Sequence, residues 1–277
     1  MRKLKYSVGL IICFGLCLIL SACSTDKAAE TSSLATPVPS SQTIGAMTNG
    51  AQSLGDSQYY YTLWYQGWVT HHMTIFPTIA KKNEAFKARW DNSDDFLARV
   101  GYNWGNNGKS INEIGNISAK FAFKKSERGT AGKYNYIGIY GWVRNPSSTV
   151  ANEKLVEFYI VDDWFGNDIF SDKSPLGTSI TQGQVIGSYV LDGASYSVIK
   201  NVRENQPSID GTSTFVQYFA VRQKVRQSGT ISISHHFEEW KKMGLPFQNP
   251  TEAAFLVEAS GGKGWFDMSS LKFTKER

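Results

Sequence analysis

Two glutamates occupy positions where a carboxylate is costly to keep. Glu157 interrupts the run Leu155-Val156-Glu157-Phe158-Tyr159-Ile160-Val161-Asp162, and Glu258 interrupts Phe255-Leu256-Val257-Glu258-Ala259. β-Branched, aromatic and aliphatic neighbours of this kind read as strands. An ionised carboxylate among apolar side chains needs a compensating reason to be there. Strand alternation sets Val156, Phe158 and Ile160 on one face and Glu157, Tyr159 and Val161 on the other. One face then packs a core, while the other offers a carboxylate beside a tyrosine. That is the composition of a sugar-binding cleft, with a second carboxylate available for paired acid–base work.

The elements that must hold these groups are mostly strands. Aromatic density rises at Tyr59-Tyr60-Tyr61 and stays high to the end. Short alternating or apolar runs recur between Gly, Asn, Asp and Ser clusters: 85–90, 118–123, 134–143, 155–161, 195–202, 212–222, 230–234 and 253–258. Strands at this spacing predict an all-β domain, a two-sheet sandwich or jelly roll. One stretch reads as a helix, His235 to Met243, with Phe237, Trp240 and Met243 as its apolar stripe. Gly244 stops it and Pro246 bars its continuation. Repeats and a second domain are not expected.

The N-terminus has a different character. Arg2, Lys3 and Lys5 precede an apolar run from about Val8 to Leu20, followed by Leu20-Ser21-Ala22-Cys23. This pattern predicts a secretion signal over residues 1–22, too short for a transmembrane helix. The last four residues resemble a bacterial lipobox, with Cys23 lipidated; an ordinary signal cleaved nearby is the alternative. Residues 23–57, rich in Ser, Thr, Ala, Gly and Pro, are expected to be a flexible tether, and residues 58–277 a catalytic domain. All three cysteines, Cys13, Cys17 and Cys23, lie in the N-terminal segment, so the domain has no disulfide, thiol nucleophile or zinc–thiolate site. Its roughly 220 residues suffice for a core without such staples. The net charge of +5 owes three units to Arg2, Lys3 and Lys5, and no nucleic-acid signature accompanies it.

From Tyr59 onward the chain resembles glycoside hydrolase family 11, the endo-1,4-β-xylanases. The run 155–162 resembles the family's nucleophile strand. Gln206-Pro207-Ser208-Ile209-Asp210-Gly211-Thr212 resembles the tip of its thumb hairpin, and Phe215-Val216-Gln217-Tyr218-Phe219-Ala220-Val221-Arg222-Gln223 the strand that follows. Ser228-Gly229-Thr230-Ile231 with His236-Phe237 and Trp240 resembles the run into its single helix, and Val257-Glu258 its acid/base strand. Leu63-Trp64, Met73-Thr74 and Trp90-Asp91-Asn92 also fit. Their order along one chain makes the match specific.

The resemblance implies a β-jelly roll shaped like a partly closed right hand, with one short α-helix and a cleft across the palm. It implies retaining hydrolysis, in which two carboxyl groups stand roughly 5–5.5 Å apart across the scissile bond. Glu157 is then the nucleophile, and Glu258 the acid and later the base. Tyr140 and Tyr159 are implied to bond the nucleophile and the proximal sugar, Gln217 to contact sugar hydroxyls, and Arg203 to hold the nucleophile ionised. Trp64 is implied as a stacking platform. Pro207, Ser208 and Ile209 line the thumb, with Phe215 beside them. Asn92 is implied to bond the acid/base, which in this family goes with a near-neutral optimum.

The chain also departs from the pattern. Ser147 to Lys154 look inserted, residues 165–175 and 259–264 differ from the usual loops, and Glu252 stands where a substrate-facing tyrosine is common. Three functions therefore remain open: a retaining endo-xylanase, a β-glucanase of the same architecture, and a polysaccharide-binding lipoprotein without catalysis. The expected partners are xylan or a related β-1,4-linked polysaccharide and, through Cys23, a membrane. The protein is expected to be a monomer exported to the cell envelope. No cofactor is expected; His71-His72 and His235-His236 are not read as metal ligands, because adjacent residues on a strand face opposite ways. Asp162, Asp163 and Asp168 read as solvated charges at a strand end.

Overall fold

The glutamate-bearing strands lie inside a large, strongly hydrogen-bonded sheet. The computed structural model describes residues 42–44, 50–53, 59–66, 71–75, 85–91, 94–126, 135–165 and 183–276. The proposed signal, Cys23, Asn92, Asp168 and most of the 165–175 loop lie outside them. In chain order the elements begin with β1 (Gln42–Ile44), β2 (Gly50–Ser53), β3 (Tyr59–Gln66), β4 (His71–Ile75), β5 (Phe86–Asp91) and β6 (Asp95–Asn103). The four-residue helix α1 (Ile111–Ile114) precedes β7 (Asn116–Lys125), β8 (Tyr136–Arg144) and β9 (Leu155–Trp164). Next come β10 (Gln184–Leu191), β11 (Ala194–Ser208), β12 (Gly211–Arg222) and β13 (Ser228–Ile231). Helix α2 (Ile233–Lys242), β14 (Asn249–Pro250), β15 (Glu252–Ala259) and β16 (Lys263–Glu276) complete the chain.

Two sheets result. One has six strands in the order β1-β4-β5-β16-β7-β13, and the other ten, running β10-β11-β12-β9-β8-β15-β6-β3-β2 with β14 paired to β8. The all-β expectation is met. Among the described residues, pairing is antiparallel except between β12 and β9, which are parallel. Between the sheets lies the main core, where Val156, Phe158 and Ile160 pack, as the alternation of β9 requires. A second apolar cluster covers the opposite face of the ten-stranded sheet and includes Leu97, Tyr140, Trp142, Tyr159 and Phe215. Both faces of β9 are thus buried, which explains why its sequence is nearly continuous in apolar residues.

Helix α2 braces β9 from behind. Phe158 meets Phe237 at 5.2 Å, Trp240 at 5.8 Å and Phe247 at 5.4 Å between ring centroids. Burying each such ring contributes roughly 1.5–3 kcal/mol, so the backbone of Glu157 rests on a well-packed layer. The helix begins at Ile233, two residues before the expected start, and the predicted strand 230–234 is split between β13 and this first turn. Its start is held by Asp192, whose carboxylate accepts from the Ser232 backbone N–H at 2.8 Å and hydroxyl at 2.7 Å. At the far end Gly244 takes φ 81°, and its N–H returns to the Lys241 carbonyl.

Three expectations change. β1 and β2 fall inside the expected tether and pair with β4 and β3; apart from Ile44 their residues are small or polar, and pairing makes them strands. A second helix, α1, opens with a Ser110–Glu113 capping box. Asp162 and Asp163 are buried: Arg226 Nε lies 2.6 Å from Asp162 and Lys125 Nζ 2.7 Å from Asp163. The inserted residues carry a 3₁₀ turn at Ala151–Glu153, and Glu153 pairs with Lys200 at 2.5 Å.

Candidate active site

Glu157 sits where three strands of the larger sheet meet. The parallel register of β12 and β9 sets Gln217 opposite it, and the antiparallel register of β8 sets Trp142 on its other side. Three side chains bond its carboxylate: Gln217 Nε2 donates to Oε2 at 2.7 Å, while Tyr140 and Tyr159 hydroxyls donate to Oε1 at 2.8 and 3.3 Å. Two of these donors are themselves oriented. Asn201 Nδ2 donates to Gln217 Oε1 at 2.9 Å, and Trp142 Nε1 to the Tyr140 oxygen at 2.6 Å. Gly141 permits this arrangement, since a Cβ there would stand 2.2 Å from the Glu252 carbonyl and 2.6 Å from the Phe158 ring.

Glu258 arrives from β15, two strands away across β8. It is almost wholly buried and its Oε2 has no hydrogen-bond partner in the protein. The Tyr159 hydroxyl, which donates to Glu157, also acts on Glu258 and opposes the rise of its pKa. Both line a single cleft with Asp95, Tyr140 and Gln217.

Their electrostatic surroundings differ in kind. Burial raises the Glu157 pKa, but the bonds from Gln217 and Tyr140, the Arg203 charge and the Tyr159 bond all oppose the rise. Burial raises Glu258 much further, and the negative charges of Asp95 and Glu157 add to it. One carboxyl is thus supplied with donors that favour its anion, and the other is kept protonated. Asp95, at the start of β6, is pushed up to about 8, chiefly by burial. Three carboxyls this close cannot all ionise, so they titrate as a group.

The family model for glycosyl hydrolases family 11 matches residues 56–269. The chain belongs to that family. Endo-1,4-beta-xylanase C of Fibrobacter succinogenes is 41% identical over 222 residues, 80% of this chain and 32% of that protein. Endo-1,4-beta-xylanase S20 of Neocallimastix patriciarum is 38% identical over 216 residues, 78% of this chain and 58% of that one. The chain therefore spans about a third and somewhat over half of these two relatives. Endo-1,4-beta-xylanase A of Bacillus pumilus is 32% identical over 265 residues, 95% of this chain and 93% of its own length. A crystal structure of an ENZbleach xylanase mutant superposes with TM-score 0.77 at 45% identity, covering 85% of this chain and 86% of that one.

The other described residues singled out in this family 11 chain fall around the same cleft. Trp64 on β3 pairs with Leu97 on β6, which pairs with Glu258 on β15, so the three form one row across the sheet. Arg203, Pro207, Ser208, Ile209 and Phe215 line the cleft from the β11–β12 hairpin. That hairpin bends at a register shift between Arg203 and Gln206, where Asn205 takes φ 51°. Its tip turns at Gly211, φ 80°, and the Arg144 guanidinium grips Asp210 through both Nη atoms, the Nη2–Oδ1 distance being 2.7 Å.

The residue beside Glu258 among those described is Asp95, an aspartate; Asn92 lies outside them. The expectation of a near-neutral optimum rested on Asn92 in that role, and it stays untested among the described residues. Sequence reading also passed over β6 as a whole, and with it Asp95, Leu97 and Arg99. Arg99 lines the cleft floor with its guanidinium 4.8 Å from the Tyr140 ring centroid. Its Nη1 lies 3.1 Å from Glu252, which burial pushes up to about 8. The available signal was positional: Asp95, Leu97 and Arg99 alternate, as residues facing one side of a strand do. No group of three His, Cys, Asp or Glu among the described residues is placed to hold a metal ion.

Proposed function

We propose that the protein is a retaining endo-hydrolase of β-1,4-xylan. The observation that carries this is the contrast between two carboxyls on one cleft: Glu157 is held by three donors, while Glu258 is buried beside Asp95. The xylanase names of the relatives support the substrate.

In the first step Glu157 attacks the anomeric carbon as the bond to the leaving oxygen breaks, and Glu258 gives its proton to that oxygen. The result is a glycosyl ester on Glu157. Water then attacks the same carbon, Glu258 takes a proton from it, and the ester bond breaks. Two inversions leave the configuration unchanged. Arg203, Tyr140 and Gln217 stabilise the carboxylate of Glu157 before attack and again as it leaves. Trp64 offers a flat apolar face to a sugar further along the chain.

The same reading places the enzyme outside the cytoplasm, held to a membrane by a lipid on Cys23 and acting as a monomer. Its support is the sequence Leu20-Ser21-Ala22-Cys23 behind a basic and then apolar segment. Labelled fatty acid should enter the parent chain and not a Cys23→Ala variant; equal labelling of both would remove the anchor.

The substrate is tested by reducing-sugar release from xylan, mixed β-glucan and cellulose, using a soluble form beginning at Ser24 so that β1 and β2 are kept. Release from xylan, lost in Glu157→Gln, is the expected outcome. Release mainly from β-glucan would overturn the substrate and leave the mechanism standing.

A further inference from the structure

One ion pair on the cleft floor has a donor inventory that its structural partner does not consume. Arg99 projects from β6 on the face that carries Asp95 and Leu97, and all three line the cleft. Glu252, at the start of β15, is buried and does not line it. A guanidinium carries five N–H donors and no acceptor. Glu252 engages Nη1 at 3.1 Å, and Nε has no hydrogen-bond partner. Nε is closed to solvent, so contact with a ligand falls to the Nη donors that Glu252 does not engage.

The surroundings indicate what the remaining donors meet. Arg99 lies over the Tyr140 ring at 4.8 Å, and the hydroxyl of that tyrosine donates to Glu157 Oε1 at 2.8 Å. The phenol therefore touches the nucleophile at one end and supports the guanidinium on its face. A sugar chain whose anomeric carbon reaches Glu157 brings a neighbouring ring within range of Arg99. Neutral pentose rings present hydroxyl oxygens with free lone pairs, which suit a group that only donates. A second carboxylate is less suited, because Asp95, Glu157 and Glu258 line the same cleft.

We infer that Arg99 is a substrate-contacting specificity residue, donating hydrogen bonds to the hydroxyl oxygens of the sugar beside the attacked one, with Glu252 as the positioning residue that fixes its fork. The inference rests on the xylan reading. It supplies a polar floor where an aromatic side chain at position 252 would offer a different contact. Charge-assisted hydrogen bonds of this kind are worth about tenfold or more in affinity.

The test uses the full chain with Glu258→Gln, which binds without turnover, and measures xylohexaose affinity by titration calorimetry. Adding Arg99→Met should weaken binding about tenfold or more, and Glu252→Gln, which keeps an acceptor of the same shape, should weaken it less. In the active chain Arg99→Met should raise KM about tenfold with kcat changed less than threefold. Unchanged affinity and KM with a lowered Tm would overturn the inference, leaving a purely structural pair. Should Arg99→Met fail to fold, Arg99→Lys decides the matter: it keeps the charge and loses the fork, so weakened binding is expected and parental binding contradicts the proposal. A parent chain that binds no xylohexaose would overturn the xylan reading together with this inference, whereas parental binding indifferent to Arg99 sinks only the latter.

Discussion

Gln217 and Glu157 face each other across the parallel strand pair of the larger sheet, with Nε2 donating to Oε2 at 2.7 Å. The register makes this contact a property of the backbone, and Asn201 fixes which way the amide points. A side-chain amide so held favours the ionised form of the carboxylate. Gln217→Ala should therefore raise the Glu157 pKa. The acid limb of the kcat/KM profile moves to higher pH, because the anion is lost earlier as pH falls. A hydrogen bond to a charged group is worth about 1.5–3 kcal/mol, so kcat/KM should fall roughly 10- to 100-fold. A parental pH profile would show that the amide does not act on Glu157.

Asp95 acts on Glu258 in the opposite sense. Its negative charge raises the Glu258 pKa, so Asp95→Asn should let Glu258 lose its proton at lower pH. Carbon-detected NMR titration of labelled glutamate in both proteins measures this directly. An unchanged or higher Glu258 pKa in the variant would mean that the two carboxyls do not sense each other.

Arg226 neutralises a fully buried carboxylate. Asp162 has no exposure, accepts from Arg226 Nε at 2.6 Å and from the Tyr196 hydroxyl at 2.7 Å. Arg226→Gln should cost about 3–5 kcal/mol at pH 7, the penalty for stranding a buried charge. Burial already raises the Asp162 pKa, and losing the cation raises it further. The deficit should then shrink as pH falls and Asp162 takes a proton. Urea unfolding at pH 7 and pH 4.5 checks both the size and the sign.

At the hairpin tip the Arg144–Asp210 pair is partly exposed, with side-chain exposures of 26% and 44%, so its worth to global stability is small, about 1 kcal/mol or less. Its local effect should be larger. Asp210→Ala should leave Tm nearly unchanged while amide exchange at residues 208–211 becomes faster. Parental exchange rates would mean that the Ser208 hydroxyl bonds to Gly211 and Asp210 suffice.

How far the sequence carried differs from element to element. β9 was legible because its apolar run is nearly continuous, as burial of both faces requires. β6 was not: Asp95 and Arg99 break up an apolar pattern that is otherwise buried on both faces, and only pairing with β3 and β15 makes it a central strand. Asn92, Asp94 and Asp95 stand within four positions, and it takes the register of Gln66 with Asp95 to choose among polar residues so close together. Asp162 and Asp163 read as solvated because their partners, Arg226 and Lys125, are distant in sequence. The helix, by contrast, carried its own stop signals, and its core residues Phe237 and Trp240 were identified from spacing alone.

The measurement that bears most directly on the central claim is proton NMR of the first sugars released from xylan. Retention through a glycosyl ester on Glu157 predicts that the β-anomer appears first and mutarotates later, and that Glu157→Gln releases nothing. Release of the α-anomer first, or undiminished release by Glu157→Gln, would contradict the assignment of Glu157 as nucleophile.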